Sequence, residues 1–230
     1  KPMPVERLMR DMRVARIFEG ASEIMHLLMA REAVDKHLEV AGAMIEPGPL
    51  GKKIAALPKV AAFYALWFPS RCFGLNAFFG YGEYGPLATH LRFIARASRR
   101  LARASFYGML RYQAGLEKRQ GFLFRWVDIA MELFAMAASI SNAHTRAKKG
   151  LGDEAIVLAD TFCKGARLKV EELFRGLWKN TDAEKVALSQ RVLRGEYRWL
   201  EDGIITLDEA ESARLRRSER AQTAERVGRN

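Results

Sequence analysis

The sequence predicts an all-α fold, and three observations support this prediction. Apolar residues recur at spacings of three and four along most of the 230 residues, which is the period of an amphipathic helix. Clusters of glycine and proline separate these periodic segments, as turns between helices require. No stretch stands out by the strict alternation of apolar and polar residues that is typical of a half-buried strand.

The first two helices are predicted on either side of a tight corner. Apolar spacing begins at Pro4, a favourable first-turn residue, and stops at Gly20. A second helix restarts behind Ser22, which we interpret as its N-cap. The run of proline and glycine at 46–51 cannot continue this helix, because proline lacks the backbone donor and glycine costs conformational entropy. We interpret this run as a hinge.

Further helices are predicted after the hinge. An aromatic-rich stretch interrupted by Pro58, Pro69 and several glycines comes first. Gly150 is expected to end one later helix and Asp153 to cap the next. The helical patterns cover 87–116, 121–149, 153–178 and, more briefly, 182–194.

Residues 121–178 are predicted to form an antiparallel helix pair with a bundle core. Residues 208–230 alternate Arg with Glu and hold few apolar positions, so we expect a frayed helix or disorder there. The chain therefore divides into a helix pair over 1–46, a hinge and aromatic segment over 47–86, a helical domain over 87–207 and a polar tail over 208–230. The predicted core pairs Phe122, Leu123, Trp126, Ile129, Leu133, Phe134 and Met136 with Ile156, Leu158, Ala159, Phe162, Leu168, Leu173 and Leu177.

Composition excludes several classes of protein. Hydrophobic residues make up 49% and charged residues 28% of the chain, a globular mixture that excludes disordered, collagenous and disulfide-stapled chains. Cys72 and Cys163 stand far apart with no metal-ligand spacing, so the sequence supports neither a disulfide framework nor a zinc site. The chain opens at Lys1-Pro2-Met3-Pro4 without a leader peptide, and we expect it to be part of a longer protein.

The positive charge is concentrated in one part of the chain. The formal net charge is +11, and residues 47–116 hold ten basic residues against one acid, Glu83. Such a field attracts a polyanion, which is an acidic lipid, a nucleic acid or a phosphorylated cofactor. Nucleic acid is the least favoured of these, because no nucleic-acid-binding motif accompanies the charge.

Two further features of the sequence give little indication of function. Histidines 26, 37, 90 and 144 have no Ser, Cys or acidic partner at a telling spacing, so surface or core roles are expected for them. The Gly80-Tyr81-Gly82 run lacks the following lysine and strand of a phosphate loop.

The segment that carries chemistry lies at the first corner. It reads Arg16-Ile17-Phe18-Glu19-Gly20-Ala21-Ser22-Glu23-Ile24, preceded by Arg7 and Asp11 at a spacing of four. From about Val5 to Leu38 the chain resembles the last two helices of the acyl-CoA dehydrogenase catalytic subunit. The aromatic-Glu-Gly-Thr/Ala-x-x-Ile corner is a motif that is highly specific to these flavin enzymes.

The resemblance implies a role for each corner residue. Glu19 is the general base that takes the α-proton of a fatty acyl-CoA, while the β-hydrogen leaves as hydride to FAD. Gly20 lies against the substrate, and Ala21, Ser22 and Glu23 contact the cofactor. Taken alone, Glu19 is also explained as a solvated carboxylate in a helix corner. Ala21 stands where the family commonly has Thr, so a hydroxyl contact is lost there while the backbone contact survives.

The later helices resemble a narrower group. Segments 120–123, 128–136 and 159–163 are similar to the extra C-terminal helical domain of very-long-chain acyl-CoA dehydrogenases. The resemblance implies a homodimer that attaches to a membrane face and passes electrons to an electron-transferring flavoprotein. Its location would be the cytoplasm or inner membrane in a bacterium and the mitochondrion in a eukaryote. The rest of the flavin pocket would precede Lys1. The rival interpretation is a non-catalytic helical module for dimerisation or membrane docking.

The aromatic segment is the predicted membrane contact. Apolar rings with flanking cations suit the headgroup boundary of an anionic membrane. Pro69 and Asn76 help to break the run, so a transmembrane helix is not expected. The neighbouring stripe of Arg92, Arg96, Arg99 and Arg103 falls on one helix face and would strengthen this attachment. The alternative is that the rings pack in the core, and that the stripe is solvated or paired with acids of domains outside this chain. The predicted membrane-binding residues are Lys59, Phe63, Trp67, Phe68 and Arg71.

Overall fold

A computed structural model describes residues 4–18, 20–45, 48–74, 80–151 and 153–202. Short 3-10 turns cover Gly82–Leu87, Gln113–Lys118 and Arg198–Glu201, and no strand occurs in the described ranges. The all-α prediction is confirmed. The α-helices found there are α1 (Val5–Ala15), α2 (Ser22–Ile45), α3 (Leu50–Cys72), α4 (Ala88–Tyr112), α5 (Gln120–Lys148), α6 (Glu154–Gly176) and α7 (Asp182–Leu193).

The chain forms two compact units, Lys1–Asn180 and Thr181–Asn230. The first unit holds α1 to α6, and the second holds α7 and the turn Arg198–Glu201. Within the second unit, Glu196 pairs with Arg191 at 2.7 Å and with Arg194 at 2.9 Å. The division at 46, 86 and 207 stays a prediction, and the tail over 208–230 lies outside the described residues.

The core of the first unit is built around α5, which packs against α2, α4 and α6. The face that α6 turns toward α5 carries small residues at three- and four-residue spacing, which lets the two helices approach closely. The fully buried apolar side chains of the pair are Val127, Ile129, Met136, Ile140, Cys163, Val170 and Leu177.

Part of the predicted core is wrong by one helical position. Phe134, Leu158 and Leu168 are each more than 70% exposed. Ala159 and Leu177 are buried as predicted, and the inner face of α6 between them runs through Cys163, Ala166, Val170 and Phe174. Each residue turns the helix by about 100°, so a neighbouring position points away from the partner.

Helix α3 is continuous through both of its prolines, whereas the sequence indicated an interrupted stretch. Pro58 and Pro69 each remove one backbone donor, but the helix extends from Leu50 to Cys72. Its aromatic side chains pack against α4. Tyr64 and Trp67 stack around Phe106 of α4, with ring centroids 4.9 and 5.9 Å apart.

Close contact between α4 and α5 depends on a glycine. A Cβ placed at Gly108 would lie 2.6 Å from the ring of Phe122. That ring is 3% exposed and is held between Tyr112 and Trp178, at centroid distances of 5.5 and 5.4 Å. The ring therefore has no room to move away.

We predict that Gly108→Ala destabilises the chain by about 1–3 kcal/mol, because the added methyl overpacks the α4–α5 contact. The matched control is Gly165→Ala in the middle of α6, where nothing lies within 4 Å of the added Cβ. The control should raise stability by about 0.5–1 kcal/mol, the usual effect of alanine on an exposed helix. Urea unfolding of both variants checks this. Equal changes in the free energy of unfolding in the two variants would show that the Phe122 ring moves aside for the added methyl group.

Candidate functional site

The corner between α1 and α2 is made by local hydrogen bonds and one glycine. The amides of Ile17 and Phe18 both donate to the carbonyl of Val14, at 3.0 Å. Gly20 then adopts a φ of +101°, a left-handed conformation that L-residues rarely adopt. The chain turns there and α2 begins at Ser22.

A side chain at Gly20 would be unfavourable for a second reason. Its Cβ would lie 3.3 Å from the sulfur of Met25, in a part-buried position. The resemblance assigned this glycine to close approach of a substrate. The backbone conformation requires glycine independently of any substrate.

Glu19, the predicted base, lies outside the described residues. Its flanking side chains are exposed, Ile17 by 69% and Phe18 by 83%. In the described part of the chain nothing covers them, so the desolvation expected around a base at this corner needs a further surface. Helix α1 likewise has no buried residue, so its apolar face is exposed.

The three predicted cofactor-binding residues lie together at the start of α2. Ala21 and Ser22 are half-buried and Glu23 is exposed. The first turn of a helix leaves its N–H groups without intrahelical acceptors, and the helix dipole makes them favourable to an electron-rich group. Ser22 is itself the first residue of α2, and its hydroxyl accepts a hydrogen bond from Arg16 Nε at 3.5 Å. These residues fit one edge of a flavin pocket.

His26 fixes this first turn against α5. Its Nδ1 donates to the Ser22 carbonyl at 2.6 Å, and its Nε2 lies 2.9 Å from the Asp128 carboxylate. Both partners are acceptors, so both nitrogens donate only when the ring is an imidazolium. Burial lowers the pKa of His26, but the hydrogen bonds to Asp128 and Ser22 outweigh it, and the pKa lies above its ordinary value.

The predicted membrane-binding residues divide between two environments. Lys59 and Arg71 are exposed, whereas Phe63, Trp67 and Phe68 are half-buried against α2 and α4. With other residues of α2, α4 and α5, Phe63 and Trp67 line a cleft of about 420 Å³.

The opposite face of α3 is apolar and exposed. It carries no acidic residue, and Lys59 lies among its small and branched side chains. No helix in the described ranges is both long and apolar enough to span a bilayer. The large apolar residues on this outward face are Leu50, Ile54, Leu66 and Phe73, the last two about 80% exposed.

Each of the four histidines makes a polar contact that the sequence did not predict. His90 Nε2 lies 2.9 Å from Asp160, which is 70 residues away in sequence, and His26 lies 102 residues from Asp128. His37 Nδ1 lies 2.9 Å from the Tyr64 hydroxyl. No local spacing signals such pairs, because they depend on how whole helices pack. The fourth contact joins His144 to Glu83 at 3.6 Å.

The two cysteines are free, and Cys163 is buried in the α5–α6 core. Burial, with a smaller contribution from Asp160, raises the pKa of its thiol to about 11. A thiol of this kind is protonated and unreactive at neutral pH.

Comparison with known proteins places the corner in a family context. Residues 1–34 match the family described as acyl-CoA dehydrogenase, C-terminal domain. The chain is 52% identical over 215 residues to the probable acyl-CoA dehydrogenase FadE10 of Mycobacterium tuberculosis. The aligned region covers 92% of this chain and 33% of that protein.

More distant similarity extends to mitochondrial proteins. The chain is 28% identical over 185 residues to the human very long-chain specific acyl-CoA dehydrogenase, covering 73% of this chain and 26% of that protein. The rat protein of that name is 26% identical over 193 residues, with 79% and 28% covered. The chain thus spans between a quarter and a third of the length of these relatives. The predicted resemblance to a C-terminal portion of acyl-CoA dehydrogenases is confirmed.

We predict that Asp128→Asn removes a pH-dependent contribution of about 1 kcal/mol from the α2–α5 contact, a small value because Asp128 is partly exposed. The folded-state pKa of His26 is raised. The contribution is therefore full below the unfolded-state pKa and is lost as pH rises through the folded-state pKa.

Thermal unfolding of both proteins between about pH 5 and pH 9 measures this difference. The gap in melting temperature should be larger at the acidic end. His37, whose pKa burial lowers, is present in both proteins and cancels in the comparison. A gap that is constant with pH would mean that His26 stays neutral.

Proposed function

We propose that this chain is the C-terminal part of an FAD-dependent acyl-CoA dehydrogenase of the very-long-chain type, which forms trans-2-enoyl-CoA from a long-chain fatty acyl-CoA. The observation that carries the proposal is the left-handed Gly20 corner. It directly follows the Glu19 position in a chain that is 52% identical to a probable acyl-CoA dehydrogenase. Fatty acyl-CoA, an electron-transferring flavoprotein and a second copy of the chain are the partners proposed with it.

Glu19 is proposed as the base that takes the α-proton. Ile17 and Phe18 next to it are exposed apolar side chains that an acyl chain and the preceding part of the enzyme would cover. Covering them removes water from the carboxylate, which raises its pKa toward the range that suits proton abstraction. When bound, FAD supplies the acceptor for the β-hydrogen.

The start of α2 is proposed to hold the flavin edge. The amides of Ser22 and Glu23 lie in its first turn and that of Ala21 directly precedes it, where hydrogen-bond donors are free of the helix. His26 ties the Ser22 carbonyl to α5. Because this turn is already fixed, its backbone amides need no further ordering before they donate to a cofactor.

Exposed apolar surface supports the proposed homodimer. Phe134, Leu158 and Leu168 are mostly exposed on α5 and α6. Large apolar side chains of this kind are typical of surfaces that a second protein covers. Association through this surface would also serve the alternative function, a non-catalytic helical module.

Membrane docking is proposed for the outward face of α3. Leu66 and Phe73 are exposed there, and the exposed Lys59 supplies positive charge. Arg71 lies on the inward side, where its guanidinium is over the Trp67 ring at 5.8 Å. An apolar helix face with adjacent cations suits the boundary of an anionic membrane. Trp67 and Phe68 then support α3 from the inside.

We predict that Glu19→Gln, in a protein that holds this chain together with its preceding domains, lowers turnover about 10³-fold, as expected for loss of a general base. Flavin absorbance should stay unchanged, because the amides that contact the cofactor remain. Steady-state turnover and the flavin spectrum measure the two effects.

Glu32→Gln is the matched control, since Glu32 is an exposed carboxylate of α2 that lies outside the corner. It should leave turnover unchanged. Retained activity in Glu19→Gln would place the base on another helix.

We predict that the chain sediments with anionic liposomes and that salt weakens this binding. Leu66→Ser/Phe73→Ser should abolish binding without unfolding the chain, because both side chains are exposed. Trp67→Ala/Phe68→Ala should mainly lower the melting temperature.

Loss of binding only in the second variant, with its fold intact, would instead place the Trp67 and Phe68 rings in the lipid. No binding by the unmodified chain would contradict a membrane role. The helical domain would then keep only its proposed role in association.

A further inference from the structure

A basic groove of about 490 Å³ lies between α4 and α6. Arg96, Arg100 and Arg103 of α4 line one side, at a spacing of four and three that places them on one helix face. Arg167 and Glu171 of α6 line the other side. Two helices that are distant in sequence thus bring four guanidinium groups to one concave surface.

The positive charge of this groove is poorly neutralised. Glu171 is its single carboxylate and pairs with Arg100 at 2.7 Å. Among the described residues, no carboxylate pairs with Arg96, Arg103 or Arg167, and Arg103 donates to the backbone carbonyl of Arg71. Like charges held close together favour an anion from solution.

Aromatic rings orient two of the guanidinium groups. Arg100 stacks on Phe174 with its Cζ 4.0 Å from the ring centroid, and Arg167 stacks on Phe93 at 4.9 Å. Phe93 and Phe174 are themselves buried. Stacking uses the flat face of a guanidinium and leaves the N–H groups in its plane free to donate.

We propose that this groove binds a phosphate group. Planar N–H forks of arginine match phosphate oxygens in pairs, and the local excess of positive charge suits a doubly charged anion. The phosphate belongs either to a soluble phosphorylated molecule or to a lipid headgroup. The site is separate from the α1–α2 corner and from the outward face of α3, so it does not depend on the proposed reaction.

Pyrophosphate is the soluble probe, titrated into the 230-residue chain by isothermal calorimetry at low and high salt. We expect saturable binding that salt weakens. Arg96→Gln should weaken it about tenfold, the effect of losing one charge-assisted contact. Glu171→Gln should strengthen it, because it frees the Arg100 guanidinium from its internal partner.

The matched control is Arg146→Gln, the same change of charge near the end of α5. Arg146 is exposed, lies in the last turn of α5 and does not line the groove. Circular dichroism melting confirms that each variant is folded. Equal losses in Arg96→Gln and Arg146→Gln would overturn the proposal, since they would reflect overall charge alone. No pyrophosphate binding, or weaker binding in Glu171→Gln, would also overturn it.

Vesicles of phosphatidylcholine with and without phosphatidic acid distinguish the two sources of phosphate. If the groove holds a headgroup, pyrophosphate releases the chain from the acidic vesicles and Arg96→Gln weakens vesicle binding in parallel. If the ligand is soluble, pyrophosphate binds but leaves vesicle binding unchanged. Leu66→Ser/Phe73→Ser should leave pyrophosphate binding intact, so failure of the α3 proposal is distinguishable from failure of this one.

Discussion

Burial of α5 on several sides is the constraint on which the rest of the first unit depends. Val127, Met136 and Ile140 are inaccessible to solvent, and α2, α4 and α6 all pack on this helix. Such a helix has little polar surface left. Each of its polar groups that contacts a neighbouring helix therefore has a large effect on the position of that helix. The geometry of the α1–α2 corner is therefore set partly from α5, more than a hundred residues away in sequence.

Polar contacts connect α5 to each of the three helices that pack on it. Asp128 meets His26 of α2, Trp126 Nε1 donates to the Leu101 carbonyl of α4 at 3.1 Å, and Glu132 pairs with Lys169 of α6. Apolar surfaces alone tolerate sliding of one helix along another. Sliding by one turn would leave these groups without partners, at a cost that exceeds the small net gain of each bond. The contacts therefore select one register among several of similar apolar burial.

Sequence patterns predicted the positions of the helices better than their packing. Glycine and proline clusters fixed the ends of α2 and α5 to within a few residues, because those residues act locally on the backbone. The inner face of α6 was predicted only in part: Ala159 is buried as expected, but the neighbouring Leu158 is exposed, since only the packing partner decides which apolar residue is buried. At the corner, the motif indicated the importance of Gly20 but not its positive φ. The contact of His26 with α5 was not predictable, because it joins groups that only the tertiary fold brings together.

Helix α3 shows why hydropathy alone left its role open. Its inward face holds Tyr64 and Trp67 against α4, and its outward face exposes Leu66 and Phe73, so the helix is apolar on both sides. A helix with apolar residues all round is normally covered all round. One side is covered by the chain itself, and the other is exposed in the described part of the chain. Lys59 accompanies the exposed side and the helix holds no acidic residue, so the anionic membrane proposed for this side would match both its apolar area and its charge.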